Sequence, residues 1–334
     1  MASVNGVTNF GARAGPRSAG FAGSRAALVL LVLVAAFSGA GCSIKRMAVK
    51  SVANSLTSGP DIFASDDDPE LVRDALPFGL KFMESLLSMV PDHEGLLLTC
   101  CRGYTQYAFA FVQADADAVE GTDRARAAEL RERALKLYLR ARGFGLRGLE
   151  LRHRGIADEF RGNPTAAAAR LTAKELPLIY WTAASWGSAI SVAKDRPEIS
   201  ADIDAVRALM GRALQLDEDY EGGAVHEAMI VLEALPAMMG GSLARAREHF
   251  QRAVDLSKGS RAAPFVTLAE NVAVQEQNRA EFERLLKQAL EIDPERNPQA
   301  RLETLLVQKR ARTLLSREDD LFLEADTTQI KESR

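Results

Sequence analysis

The stretch RAEFERLLKQALEIDP, residues 279–294, decides the fold. Its apolar residues recur at three and four, the period of one helix face, and not at two as in a strand. Phe282, Leu286 and Ala289 fall on that face, and Pro294 stands five residues after Ala289 to end it. The same spacing returns upstream. Ala246, Phe250 and Ala253 repeat it with Lys258 in place of the proline, and Val206, Met210 and Ala213 repeat it with Glu218 there. Gly79, Met83 and Leu86 carry it again, followed by Pro91, and Leu130, Ala134 and Leu137 form a weaker fifth copy. Three copies also end alike, in ALQLD (213–217), AVDLS (253–257) and ALEID (289–293), with steps of 40 and then 36 residues.

A small residue on the face lets two helices approach closely, and the large apolar residue three before it locks into the next pair. Helix pairs of this kind cannot bury their faces alone, so they stack into a superhelix with a concave inner surface. The spacing is that of the second helix of a tetratricopeptide repeat, whose period of 34 residues is lengthened here by short insertions. The W-x2-L-G-x2-Y half of that repeat is missing, so the units are degenerate. The fold class read from the sequence is all-α, a superhelical array of degenerate tetratricopeptide-like helix pairs; the alternative is a non-repeating helical bundle, because amphipathic helices share apolar spacing by default. Further stripes run through Leu80, Met83, Leu87 and Val90 and through Leu130, Ala134, Leu137 and Ala141. Leu302, Leu305 and Leu306 begin a stripe that ends polar at Lys309 and Thr313, as in a terminal capping helix. Breaks are expected at Pro91, Gly143 to Gly148, Asn163-Pro164, Pro197, Gly222-Gly223, Gly240-Gly241, Gly259 and Asp293-Pro294. The body has no Asn-Gly or Asp-Gly hairpin signal and no long Val/Ile/Thr alternation.

The rest of the 334 residues agrees with a globular helical chain: 47% hydrophobic, 26% charged and a net charge of −3. A nucleic-acid binder shows a surplus of Lys and Arg that is absent here, so no nucleic acid is expected as partner. Residues 1–41 read as a signal peptide. Arg13, Arg17 and Arg25 make a basic region with no acid, AALVLLVLVAAF at 26–37 is an apolar run too short to span a bilayer comfortably, and Ser38 to Gly41 are small. Ala40-Gly41-Cys42 resembles the bacterial lipobox, with Gly39 where that motif usually has Leu. The resemblance implies that Cys42 is the lipid anchor, with more than one acyl chain as stable attachment requires. Ser43 after the cysteine resembles the default outer-membrane signal. Without its three leader arginines the chain has 39 basic against 45 acidic residues. Residues 42–65 then form a lipid-anchored tether, 66–323 the helical domain and 324–334 a tail. SIKRMAVK at 43–50 is basic, with Ile44, Met47, Val52 and Leu56 near one face. It reads as a membrane-surface helix or as the first short helix of the fold.

A search for reaction chemistry returns little. No G-x-x-x-x-G-K-[ST], G-x-G-x-x-G or G-x-S-x-G motif occurs. His93-Glu94 and His226-Glu227 begin like a zinc-protease helix but lack the second histidine. His93, His153, His226 and His249 are scattered, so no metal site, no cofactor and no enzyme activity is expected. Cys100-Cys101 on one helix points to different faces and reads as buried thiols. In Asp66-Asp67-Asp68-Pro69-Glu70, Asp68 suits an N-cap, Pro69 the first helical position and Glu70 the helix dipole.

The aromatic residues offer ligand-binding candidates. Tyr104, Tyr107 and Phe111 share one helix face, and Tyr180, Trp181 and Trp186 lie on another helix. Tyr and Trp, apolar with a polar tip, suit a ligand groove, an interface or ordinary core.

Seven stretches, in this order and spacing, resemble the T-component of TRAP transporters (TatT): 66–87, 103–113, 137–149, 176–191, 212–227, 239–259 and 307–322. Among them are DDDPELVRDALPFGLKFMESLL, LPLIYWTAASWGSAIS and MGGSLARAREHFQRAVDLSKG. The resemblance implies a periplasmic tetratricopeptide-like lipoprotein with no enzymatic signature. Its expected partner is the periplasmic solute-binding protein of a TRAP system, its ligand a small hydrophobic or organic-acid molecule, and its assembly a homotrimer. TRAP uptake runs on an ion gradient, so no nucleotide site is needed. The expected place is the periplasm, held through lipid to the outer membrane. The alternative is a general tetratricopeptide scaffold for envelope assembly, binding a partner helix or peptide in its groove.

Overall fold

A computed structural model describes residues 44–59, 61–193 and 195–323. The signal peptide, the anchor Cys42 and the tail 324–334 lie outside the described residues. The chain divides into two units, Met1–Ser51 and Val52–Arg334. In the first, residues 44–51 are helical and expose Ile44 and Met47.

In the second unit every described element is helical, with no strand among the described residues. Helix α1 covers 52–58, α2 Pro69–Met89, α3 Glu94–Tyr107, α4 Ala114–Val119 and α5 Arg124–Glu150. The short α6 (Ile156–Gly162) and α7 (Pro164–Ala169) precede α8 (Leu176–Val192), α9 (Pro197–Ser200) and α10 (Ile203–Leu216). Then come α11 (Ala224–Glu233), α12 (Leu243–Leu256), α13 (Ala263–Leu268), α14 (Arg279–Glu291), α15 (Arg301–Ser316) and α16 (Glu318–Leu321). Two π-helical turns interrupt the series, Ala108–Gln113 between α3 and α4 and Ala269–Ala273 after α13.

The local chemistry sets the helix ends. Asp68 caps α2 by accepting from the backbone N–H of Glu70 and Leu71, and Pro69 takes the first turn, where its missing N–H costs nothing. Asn163 and Asn278 cap α7 and α14 in the same way. At the other end of α14, Gln308 of α15 donates its amide to the carbonyls of Ala289, Leu290 and Ile292, satisfying groups a helix terminus leaves open.

Many of the positions that carry the repeated spacing are packing positions, while Gly79, Met83, Leu137 and Phe250 are half-buried. Ala213, Ala253 and Ala289 are wholly buried, as are Ala246 and Phe282. Helix α11 packs on α12, α13 on α14, and α8 on both α5 and α10. One core cluster gathers Leu149, Phe160, Ile179, Trp186 and Leu209; a second gathers Ile230, Val266, Phe282, Leu286 and Ala311.

The expected break at Gly143 to Gly148 does not occur: α5 runs through it unbroken to Glu150. These glycines are contact notches rather than helix ends. A Cβ on Gly145 would lie 2.2 Å from Thr182 Oγ1 and 3.0 Å from Cys101 Sγ, and one on Gly148 2.7 Å from Leu178 Cδ2. The missing side chains let α8 and α3 seat directly on α5.

The chain also closes on itself. Helix α15 returns to the start of the domain, where the Leu302 N–H donates to the Ala64 carbonyl at 3.1 Å and Arg301 to the Ser65 carbonyl at 3.2 Å. Farther along α15, Lys309 meets Glu70 at 3.0 Å, Arg310 meets Asp117 of α4 at 3.1 Å, and Arg317 donates to the Asp117 carbonyl at 2.7 Å. The seam is thus largely polar, whereas the neighbouring helix contacts are apolar.

Candidate functional site

Because α15 comes back to α2 and α4, the helices enclose a space. It is a cavity of about 1740 Å3, in part open to solvent. Leu76, Leu80 and Met83 of α2 form one apolar wall, and Leu302, Leu306 and Leu314 of α15 another. Both π-helical turns face it, through Phe109, Phe111 and Gln113 on one side and Glu270 and Asn271 on the other. A π turn pushes one extra residue out of the helical ladder and is frequently found at functional sites. Trp181 of α8 completes the lining.

Set into this apolar lining are charged groups, each arginine matched to carboxylates. Arg73 pairs with Asp115, Arg102 with Asp61 and Arg131 with Glu120. Arg310 lies between Glu270 and Asp117 and rests over the Phe109 ring at 5.8 Å. Burial works against its charge, but Glu270 and Asp117 outweigh that and raise its pKa. Arg261 is held the same way between Glu303 at 2.7 Å and Glu227 at 3.0 Å, and its pKa is likewise raised despite burial. Glu227 is the strained member. Burial pushes its carboxyl up to about 7, and the Arg261 guanidinium opposes that shift without cancelling it.

Two turns add further, solvent-exposed charges to the lining. Glu221 and Lys258 both line the cavity and both hold left-handed backbone, φ +47° and +52°. That conformation is costly for residues with a Cβ, by about 1 kcal/mol or more each. The Tyr220 hydroxyl donates to Glu221 at 3.2 Å.

The six aromatic candidates separate by location. Phe111 and Trp181 line the cavity. Tyr180 stands behind Trp181, ring to ring at 5.1 Å, and touches Tyr220 at 5.3 Å. Tyr107 packs on Phe111 at 5.8 Å. Tyr104 is buried and stacked on Phe144, where burial pushes its phenol up to about 12. Trp186 is core: its indole N–H donates to Asp202 at 3.0 Å, and Arg142 lies over its ring.

Sequence reasoning missed the charged belt, since Arg102, Arg261 and Arg310 are far apart in the chain and look like surface residues. It also missed a histidine pair. His226 of α11 and His249 of α12 meet Nδ1 to Nδ1 at 2.8 Å, and burial lowers both pKa values. Helical spacing alone does not show which faces of separate helices meet. The described residues hold no group of three or more His, Cys, Asp or Glu arranged for a metal ion. Cys100 and Cys101 are buried and unbonded, and burial pushes each thiol up to about 12, far from thiolate at neutral pH. No described helix is long and apolar enough to cross a membrane.

The space is larger than the usual pocket for one drug-sized molecule. Its long apolar walls with fixed guanidinium and carboxylate groups suit an elongated amphiphile.

The family model for the TRAP transporter T-component matches residues 65–322. A protein of Treponema pallidum (strain Nichols), named only as uncharacterized, is 31% identical over 304 residues, covering 85% of this chain and 94% of its own length.

Proposed function

The chain belongs to the TRAP transporter T-component family, and on that premise we propose that it is a periplasmic lipoprotein that docks a TRAP solute-binding protein and holds a hydrophobic or organic-acid ligand in its central cavity. Family membership gives the coarse role, an accessory component of a TRAP transporter working at the cell envelope. The single observation that carries the finer reading is the cavity wall: apolar over most of its length, with Arg261 and Arg310 each serving two carboxylates. A ligand carboxylate can replace Glu227 on Arg261 without leaving the guanidinium unpaired, the displaced Glu227 taking up the proton that burial favours, while the ligand's apolar part is removed from water.

In this reading Cys42, lipidated after removal of residues 1–41, tethers the chain to the outer membrane. The pairs α1–α2, α3–α5, α8–α10, α11–α12 and α13–α14 are degenerate tetratricopeptide units, with α15 as the closing helix. Solute-binding proteins load ligand in the periplasm, and a tethered helical domain with an open cavity gives such a protein a place to deliver or collect it.

The test is direct. The purified chain is mixed with the TRAP solute-binding protein of the same cell and followed by sedimentation velocity. A complex at micromolar concentrations is the expected result; two independent boundaries at all concentrations refute docking.

A further inference from the structure

Residues 44–51, IKRMAVKS, are helical, and all but the half-buried Val49 are exposed. At about 100° per residue, Met47, Ser51, Ile44 and Ala48 fall within about 100° of the helix circumference. Ile44 is exposed by 61% and Met47 by 68%, so the large members of this strip face solvent. Lys50 stands about 60° beyond one edge of the strip and Lys45 about 60° beyond the other, and Arg46 lies across the helix axis from it. A lysine stem can follow the apolar strip while its ammonium stays among polar groups. An exposed apolar strip bordered by two lysines is the pattern of a helix that lies in a membrane interface.

Charge and position identify the occupant. Lys45, Arg46 and Lys50 belong to the 39 basic residues that remain without the leader, while none of the 45 acidic residues precedes Asp61. A short cationic segment thus leads an otherwise acidic chain, and a bilayer that contains phosphatidylglycerol is its electrostatic complement. Ile44 stands two residues after Cys42. Two residues reach about 7 Å at most, so acyl chains on Cys42 hold the first turn of this helix at the interface. Three cations and two large apolar side chains bind a bilayer weakly by themselves. The acyl anchor makes the contact intramolecular, at an effective concentration on the order of millimolar, and weak binding is then enough. Resting on the proposed lipidation of Cys42, we infer that the helix at 44–51 lies flat in the interface of an anionic phospholipid bilayer, with Ile44, Met47 and Ala48 toward the acyl chains and Lys45 and Lys50 on the headgroup phosphates. Attachment then extends over a contact of ~12 Å rather than a single lipidated residue.

The full chain, produced in cells that acylate lipoproteins, is reconstituted into vesicles of three parts phosphatidylcholine to one part phosphatidylglycerol. Mass spectrometry of its N-terminal peptide reads the acyl groups; a peptide without them refutes the anchor and, with it, the proposal. Met47→Cys and Arg46→Cys are each labelled with bimane, while Cys100 and Cys101 are buried and stay unlabelled. A lipid spin-labelled just below the headgroup is expected to quench the label at 47 at least about threefold more than the label at 46. Lys45→Glu together with Lys50→Glu is expected to cut the quenching at 47 about threefold or more, and vesicles of phosphatidylcholine alone to do the same to the unaltered helix. Equal quenching at 46 and 47 in the acylated chain, as for a helix standing upright, overturns the proposal. So does a label at 47 that is not quenched at all, as for a helix turned onto protein, or quenching at 47 that survives the charge reversal.

Discussion

Gly143 and Gly145 sit two residues apart in the middle of α5, yet replacing each by alanine should move stability in opposite directions. Alanine is the better helix former by about 1 kcal/mol, so open space decides whether that gain is realised. A Cβ on Gly143 meets nothing within 4 Å, and Gly143→Ala should stabilise the domain by about 0.5–1 kcal/mol. A Cβ on Gly145 would stand 2.2 Å from Thr182 Oγ1 and 3.0 Å from both Thr182 Cβ and Cys101 Sγ. Carbon contacts settle near 3.5–4.0 Å, so α5 and α8 must part by on the order of 1 Å. Overpacking of that kind costs about 1–3 kcal/mol, and with this contact at the severe end the net loss for Gly145→Ala is about 2 kcal/mol after the helix gain. Urea denaturation followed by circular dichroism measures both variants. Thr182→Ala removes the nearest atom and should restore about half of the loss in the double variant, a coupling of about 1 kcal/mol. If Gly145→Ala is as stable as Gly143→Ala, the close seating of α8 on α5 is wrong.

Three further outcomes follow from the cavity. Glu227 has its pKa raised by burial from an ordinary 4.5 to about 7, so its proton is favoured in the folded chain, and the cost of keeping it ionised grows as pH rises between those values. Glu227→Gln should therefore gain about 2–3 kcal/mol relative to wild type on going from pH 5 to pH 8, read by denaturation at each pH; a difference that does not change with pH contradicts it. Arg310→Ala leaves Glu270 and Asp117 facing each other at the seam, at a cost of about 2–3 kcal/mol for groups still partly solvated, and should speed hydrogen exchange in α15 more than in α5; equal acceleration in both argues against a local seam. Dodecanoate should change the tryptophan emission in a saturable way through Trp181, and Trp181→Phe should abolish the change although Trp186 remains; a signal that persists in Trp181→Phe places the ligand elsewhere.

Much of the helical content was legible because it rests on local chemistry. Asp68-Pro69-Glu70 announces the start of α2, and the buried alanines at 213, 253 and 289 announce the packing faces. Glycines were read less well, since Gly145 in a notch and Gly222 in a turn look alike until the facing helix is known. The polar end of α15 reads as a terminal cap, yet Lys309, Arg310 and Thr313 line the cavity, and Arg310 and Arg317 hold the seam, an outcome of closure between residues some 200 positions apart. The π turns left no signal either, because AFAFVQ at 108–113 has the composition of any buried helix. For the aromatics, helical spacing placed Tyr104, Tyr107 and Phe111 on one face, but only the neighbouring helices separate Phe111 at the cavity from Tyr104 in the core.

We propose that this chain works with a TRAP solute-binding protein and carries a ligand between its helices. Capture of the tagged chain from the envelope of its own cells, followed by native mass spectrometry, tests both parts at once. The expected result is a complex containing the TRAP solute-binding protein and a small acidic or apolar molecule that leaves the protomer on activation. Capture of envelope-assembly proteins alone, with an empty protomer, contradicts it.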